Sequence, residues 1–174
     1  MSSSTVFADR VSEYFQAVNH DVFAGDPAAN ASLGVEVIEA GMAHDTPVVI
    51  LIAPWTLAGL ATPPDGQLPS ALRVGARHCP ALANQVAGIG SYWSVLLVPD
   101  VFSYRSQDEA RAVATSYVEP FRLAVEKARR ELTQVTDAGR RSLFSKTWGE
   151  RGPMGPASTA FGTPDESATR PQAD

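Results

Sequence analysis

The first apolar residues of the chain recur three or four positions apart, which is the spacing of one face of an α-helix. This pattern predicts an amphipathic helix from about Val6 to His20. Ser4 or Thr5 is placed to cap its first turn. The apolar stripe of the predicted helix consists of Phe7, Val11, Tyr14, Phe15 and Val18.

The next apolar segments have the character of strands. Val48–Ile52 is an uninterrupted run of large apolar residues, which is typical of a buried strand. We expect it to pair back on a preceding strand, Val35–Ala40, as a hairpin. Pro54 cannot donate a hydrogen bond to a neighbouring strand, so the buried strand should end near it. Thr56–Ala61 is predicted to be the third strand.

A second group of strands is expected after a turn. Pro63–Gly66 combines two prolines with Asp-Gly, which is a strong turn signal. Leu68–Pro80 fits either a loop or a short helix. Gln85–Ala87 and Tyr92–Val98 are predicted to form an antiparallel pair around a turn at Gly88–Gly90.

The longest helical pattern begins at Ser106. Ser106 and Glu109 have the spacing of a capping box, in which the two side chains bind backbone N–H groups of the first turn. Pro120 is expected to kink or restart this helix, and Gly139 to stop it. The order of elements predicts an α+β fold: a mainly antiparallel sheet packed against an N-terminal and a long C-terminal helix. We expect both helices to cover the same face of the sheet.

Composition divides the chain near residue 150. Its 174 residues are enough for one domain with a sizeable core, and we assign residues 1–149 to a single α+β domain. Residues 150–174 are rich in Gly, Pro and Ser, and their large apolar residues are Met154 and Phe161. This composition predicts a disordered tail.

The charge of the chain is unevenly distributed. The net charge is −5, and residues 1–120 hold 5 Lys+Arg against 12 Asp+Glu. An acidic body argues against nucleic acid as a partner and suits a basic one. The single cysteine excludes an internal disulfide. The first residues lack the features of a secretory signal, and no apolar run is long enough to span a bilayer, so we expect a cytoplasmic protein without membrane insertion.

The sequence contains no strong catalytic or metal-binding motif. His78 and Cys79 are adjacent, so on a strand they would point to opposite faces and make a poor chelate. Glu36 and Glu39 lie on opposite faces of a predicted strand and do not pair as acid and base. Gly88–Gly90 lacks the third glycine and the following helix of a phosphate-binding loop. We therefore expect a binding protein that is not an enzyme and uses no cofactor or metal.

Trp55 is the first candidate for a partner contact. It directly follows Pro54, at the point where the most apolar strand should end. A large aromatic residue in this position is either a lid on the core or a contact for something outside it. The second interpretation makes Trp55 an interface anchor, a role in which Trp is enriched.

Arg140 and Arg141 are the second candidate. They follow the predicted helix end and precede Leu143 and Phe144. One interpretation is that the two arginines favour the helix dipole at its C-terminus. The other is a docking arm, whose charge is opposite to that of the acidic body and which would fold onto that body or onto a partner.

Taken in order, these segments resemble the HybE-type family of [NiFe]-hydrogenase assembly chaperones, the group that includes HupJ and HoxT. The resemblance covers residues 5–146. It is carried by Ile52-Ala53-Pro54-Trp55-Thr56-Leu57, Pro64-Asp65, Gly88-Ile89-Gly90-Ser91-Tyr92, Val98-Pro99, Gln107-Asp108-Glu109-Ala110 and Gly139-Arg140-Arg141-Ser142-Leu143-Phe144.

The resemblance implies a non-catalytic chaperone for maturation of a [NiFe] uptake hydrogenase. The implied partners are the immature small subunit, its twin-arginine signal peptide, or the complex of small- and large-subunit precursors. The partner-binding residues would be Pro54, Trp55, Leu57, Arg140, Arg141 and Phe144. Two alternatives remain open: a small enzyme or ligand-binding domain with a pocket near Trp55, and a structural subunit of a complex. The oligomeric state is left open.

Overall fold

The computed structural model describes the backbone of residues 2–148 and the side chains of residues 2–136. The elements in this part are α1 (Ser3–Val18), β1 (Glu36–Ala43), β2 (Thr46–Ala53), β3 (Thr56–Ala61), β4 (Ala71–Val74), β5 (Arg77–Val86), β6 (Gly90–Val98) and α2 (Gln107–Trp148). A π-helical segment, Asn19–Phe23, follows α1. The described residues up to Ala138 belong to one compact unit. The predicted tail at 150–174 lies outside the described residues.

The strands form a six-stranded antiparallel sheet within the described residues, in the order β1-β2-β3-β6-β5-β4. β1, β2 and β3 follow one another as a meander. The chain then crosses to the far edge of the sheet and returns through β4, β5 and β6. As a result β3 and β6, which are distant in sequence, pair in the middle. The predicted α+β class with its mainly antiparallel sheet is confirmed.

The two helices lie on opposite faces of the sheet, because alternate residues of β2 belong to different core clusters. Val49 and Leu51 pack in a cluster that contains Phe7 of α1, which we call the α1-side cluster. Ile50 packs in a cluster that contains Phe121 of α2, the α2-side cluster. The expectation that both helices cover one face is therefore wrong. All eight residues of β2 are buried. Because the strand is covered on both faces, its sequence is a continuous apolar run rather than an alternation of apolar and polar residues.

For Leu68–Pro80 the sequence fitted either a loop or a short helix. In the structure this segment contains β4 and the start of β5, which form a hairpin. Leu72 pairs with Cys79 across this hairpin, and both side chains are buried in the α2-side cluster. Gly75, with φ +60°, lies in the turn, where a left-handed backbone favours glycine. With only four residues, β4 is too short for its alternation to be recognised in the sequence.

Both helices begin with the capping chemistry that short polar side chains provide. The backbone N–H of Thr5 donates to Oγ of Ser2, so α1 starts earlier than predicted. At α2, the N–H of Glu109 donates to Oγ of Ser106 over 3.2 Å, as predicted. The Glu109 carboxylate accepts from the N–H of Arg105 rather than from that of Ser106.

The later part of α2 differs from the prediction. The helix neither restarts at Pro120 nor stops at Gly139, and it continues to Trp148. Burial of Phe121 and Val125 against the sheet offsets the hydrogen bond that Pro120 cannot make. A glycine costs a helix interior about 1 kcal/mol relative to alanine, which is too little to end a helix among good helix formers.

Candidate functional site

Trp55 lies in the tight turn between β2 and β3, and it is half buried. Its ring stacks on Phe23 from the π-helical segment, with the ring centroids 4.0 Å apart and the planes at 14°. It also packs against the α1-side cluster. Pro54 beside it is buried, and its carbonyl accepts a 2.7 Å hydrogen bond from the N–H of Asn30. The turn is thus held from two sides, and part of the indole remains exposed.

Asn30 is a residue of this region that the sequence did not single out. Its buried side chain donates to the carbonyls of Val101 and Tyr104, both at 2.9 Å. It therefore joins three connections: the loop before β1, the β2–β3 turn and the loop before α2. A lone Asn in a turn-rich segment carries no sequence signal for such a role.

The other predicted contact residues do not gather around Trp55. Leu57 is fully buried in the α2-side cluster, on the opposite face of the sheet from the cluster that Trp55 contacts. Its side chain is unavailable for a direct contact. The side chains of Arg140, Arg141 and Phe144 lie outside the described residues.

An open apolar groove of about 500 Å³ lies on the α1 side of the sheet. α1 packs mainly on β1 and β2, and its cluster also includes Ala58 and Leu60 of β3 and Tyr92 of β6, so the surface beside it is only partly covered. We call this surface the apolar groove. Its lining residues, none of which is charged, are Phe15, Leu51, Thr56, Ala58, Leu60, Pro80, Leu82, Tyr92, Ser94 and Leu96.

Strand register explains how distant residues meet in the apolar groove. Ala58 lies between Leu51 and Leu96 in one row across the sheet, and Leu60 pairs with Ser94 in the next. Leu82 faces the same Ser94 from β5 and is 63% exposed, while Leu96 is 49% exposed. The exposed apolar part of the groove is therefore centred on Leu82 and Leu96.

A buried arginine joins three distant segments at one end of the sheet. The Arg129 side chain is only 4% exposed and forms two hydrogen bonds to the Asp45 carboxylate, at 3.0 and 2.7 Å. It also binds the Asp65 carboxylate, at 2.7 Å, and the carbonyl of Gln67, at 3.0 Å. We call Arg129, Asp45 and Asp65 the arginine clasp. It holds α2 to the β1–β2 turn and to the loop after β3.

The arginine clasp shifts the pKa values of both carboxyl groups. The Arg129 hydrogen bonds lower the pKa of Asp45 to about 2. Burial alone would raise the pKa of Asp65, but hydrogen bonds from the Gln67 N–H and from Arg129 outweigh it, so this pKa is also lowered. Both aspartates are therefore ionised at neutral pH, which suits a structural ion pair rather than proton transfer.

A second ion pair holds α2 to the first strand. Arg111 binds both oxygens of the Glu36 carboxylate, at 2.6 and 3.0 Å, and Gln107 donates to the same group. Hydrogen bonding from Arg111 lowers the pKa of Glu36. Glu39, on the other face of β1, accepts from Thr5 of α1, so the predicted separation of the two glutamates is confirmed.

The described residues show no group of three or more His, Cys, Asp or Glu side chains arranged to hold a metal ion. Cys79 is buried in the core, whereas the adjacent His78 is exposed. No helix in the part of the chain that the structure describes is long and apolar enough to cross a membrane.

Comparison with known families gives a match over most of the chain. The family model described as "[NiFe]-hydrogenase assembly, chaperone, HybE" matches residues 7–146, which include all six strands described and most of both helices. The chain belongs to this family. No curated protein and no solved structure matches this chain. In this HybE-family protein, the Trp55 turn, the apolar groove and the arginine clasp all lie within the matched residues.

Proposed function

We propose that this HybE-family protein acts in the cytoplasm as a non-catalytic chaperone in the maturation of a [NiFe] uptake hydrogenase. Its partner is the immature small subunit, bound through its twin-arginine signal peptide or within a complex with the large-subunit precursor. The observation that carries this proposal is the family match over residues 7–146. The open apolar groove and the acidic body support binding of an immature, basic partner.

The apolar groove favours a protein segment over a small molecule as the ligand. Small-molecule sites are usually concave pockets in which a few convergent polar groups fix the ligand. The apolar groove is open, and Ser94, one of its few polar residues, already accepts a hydrogen bond from Asn84. The apolar side chains of a protein segment therefore suit the apolar groove better than a polar ligand does.

Within this function, Trp55 contacts the partner directly, and Pro54 and Leu57 support the backbone on either side of it. Interface anchors such as Trp can each contribute about 2 kcal/mol or more. Buried Pro54 holds the turn that presents Trp55, and buried Leu57 supports the strand that follows. Arg140, Arg141 and Phe144 are assigned a docking role, because their segment is basic and the first 120 residues are acidic.

The test is capture of tagged protein from cells that express the hydrogenase. The wild-type chain should retain immature hydrogenase subunits and little mature enzyme. Trp55→Ala should lower this capture, whereas Phe102→Ala, at a residue 55% exposed, should not. Retention of the mature enzyme alone would instead identify a structural subunit, and retention of no hydrogenase subunit would contradict the function.

Charge reversal tests the basic segment separately. Arg140→Glu with Arg141→Glu should weaken precursor capture, and the wild-type interaction should weaken with added salt. The matched control is Lys127→Glu with Arg130→Glu, which reverses two exposed charges on the same helix. Equal capture by the two double variants would show that Arg140 and Arg141 do not contribute to docking.

A further inference from the structure

One edge of the sheet is left open by the short strand β4. β4 pairs with residues 77–80 of β5, and the carbonyl of Ser70 adds one further hydrogen bond from the N–H of Ala81. Beyond this point β5 continues to Val86 and, among the described residues, pairs with β6 alone. We call residues 82–86 the open edge. We propose that the open edge pairs antiparallel with the open edge of a second copy of this chain, so that the two sheets become one.

The backbone groups that the open edge offers to another strand follow from its register. In an antiparallel strand, alternate residues direct both their N–H and C=O groups to the same side. Because the N–H of Ala81 donates to Ser70 on the outer side, over 2.9 Å, the N–H and C=O groups of Ala83 and Gln85 also face outward. No strand of the described residues lies on that side, and both residues are exposed. Their backbone groups are therefore available to a further strand.

The opposite edge of the sheet is protected against strand addition, whereas the open edge is not. Proteins usually guard an edge strand with charged residues, a bulge or a covering element. β1 has Glu36 and Glu39, a bulge between Glu39 and Gly41, and α1 packed against it. The open edge reads Leu-Ala-Asn-Gln-Val, without a charged residue, proline, glycine or bulge. Such an edge is a template for an added strand.

The added strand belongs to a second copy because the open edge is complementary to itself. A two-fold axis at Asn84 sets Ala83 opposite Gln85 of the second copy, and each such pair exchanges both of its N–H···O bonds. The same axis sets Leu82 opposite Val86 of the second copy. Leu82 is 63% exposed and lines the apolar groove, and Val86 packs on the α1-side cluster, so both lie on one face of the sheet. They would form an apolar cross-strand pair on each side of the axis.

Charge and strand length are both compatible with this pairing. The chain carries a net charge of −5, so its copies repel each other on average. The open edge has no charged residue, and its self-pairing brings no like charges into contact. The register places Pro80 of the second copy opposite Gly88, in the turn after β5, so the two β4 strands lie beyond the ends of the paired segment.

Sedimentation velocity of the full-length chain tests the pairing. A short interface gives weak association, so the dimer fraction should rise between about 1 and about 100 µM. Ala83→Pro removes an outward N–H and none that serves β6, and proline is tolerated at such positions of an edge strand. It should weaken dimerisation about tenfold or more and leave thermal unfolding of the monomer unchanged.

Leu96→Lys is the matched control for the edge variant. Leu96 is 49% exposed and lines the same apolar groove, but it lies on β6, away from the open edge, so the change should leave dimerisation intact. If Ala83→Pro unfolds the chain, Leu82→Lys replaces it and should dissociate the dimer. A wild type that is monomeric at all these concentrations overturns the proposal. So does a dimer that Leu96→Lys dissociates and Ala83→Pro does not, because its interface would be the face of the groove.

Cysteine cross-linking tests the register. At the two-fold axis Asn84 faces its own copy in a non-hydrogen-bonded pair, with the Cα atoms about 4.5 Å apart, which a disulfide can span. Asn84→Cys should therefore give a covalent dimer under mild oxidation, and buried Cys79 does not compete. Leu82→Cys is the control, since its two copies lie on opposite sides of the axis, about 13 Å apart, and should stay unlinked. Equal cross-linking of the two variants would overturn this register.

This inference concerns contact between copies, so it stands or falls independently of hydrogenase maturation. A dimer that Ala83→Pro dissociates supports it even if no hydrogenase precursor is captured. If the wild type is monomeric and Ala83→Pro lowers precursor capture, the open edge binds an extended segment of the hydrogenase precursor. That result would overturn self-pairing and leave the proposed function in place.

Discussion

The ring of Phe121 lies directly over Gly59, so close that a Cβ on Gly59 would meet three ring carbons at 2.6 to 2.7 Å. Gly59 is in the middle of β3, between Ile50 of β2 and Val95 of β6. Phe121 is fully buried on α2. The missing side chain of Gly59 therefore makes the space into which α2 docks on the central strands.

Gly59→Ala should destabilise the protein by about 2 kcal/mol, because the rigid ring of Phe121 must move to admit a methyl group. The measurement is chemical denaturation. Gly34→Ala is the matched control, since a Cβ there meets nothing within 4 Å, and its effect should stay below about 0.5 kcal/mol. Phe121→Leu should cost less in the Gly59→Ala background than in the wild type. Additive effects would mean that the two residues do not compete for space.

Arg129→Met should destabilise the protein by about 2 kcal/mol. The change leaves Asp45 and Asp65 without their shared cation, and both are partly exposed, so the loss is smaller than for a fully buried pair. Arg130→Met is the control, because Arg130 is exposed and pairs with Glu126, and it should cost less than about 0.5 kcal/mol. Similar unfolding midpoints for the two variants would show that the arginine clasp contributes little.

Asp45 makes the stability of the protein depend on pH in a defined range. Its folded-state pKa is lowered to about 2, below the unfolded value of about 3.9, so its contribution is complete above that unfolded value. The contribution is lost as the pH falls towards 2. The stability difference between the wild type and Asp45→Asn should thus stay constant from neutral pH to about pH 5 and shrink below pH 4. A difference that grows on acidification would contradict this assignment.

Trp55→Ala and Phe23→Ala should each destabilise the protein by about 1 kcal/mol, because each removes half of a stacked aromatic pair. Their double variant should cost less than the sum, since the stacking interaction is lost only once. Thermal unfolding of the four proteins measures the coupling. Full additivity would show that Trp55 and Phe23 are stabilised separately.

A chain that ends at Arg151 should melt at nearly the same temperature as the full chain. The removed segment, 152–174, contains Met154 and Phe161 as its large apolar residues, and this is too little to offset about 1–2 kcal/mol of chain entropy per ordered residue. A chain that ends at Leu123 is the control and should not fold, since it lacks Val125 and Arg129. A fall of many degrees in the melting temperature of the first truncation would place Phe161 in the core.

Local patterns predicted the elements whose signals lie within a few residues of each other. The apolar run Val48–Ile52, the break at Pro54 and the cap at Ser106 all depend on neighbouring residues, and the structure confirms all three. Elsewhere tertiary packing outweighed local preferences. The helix does not restart at Pro120 because the residues beyond it are anchored on the sheet, and β4 forms where the sequence fitted a loop or a short helix because its apolar side chains meet the α2-side core.

The sequence alone was sufficient for the α+β class, for the order of most elements and, through ordered short motifs, for the family. Each of these depends on spacing along the chain. Only the tertiary structure decided which helix covers which face, how Arg129 finds Asp45 and Asp65, and where an apolar surface remains open. The apolar groove in particular depends on the pairing of β3 with β6, which brings together residues more than thirty positions apart. No local pattern records that pairing, because its energy comes from contacts that form only when the whole sheet assembles.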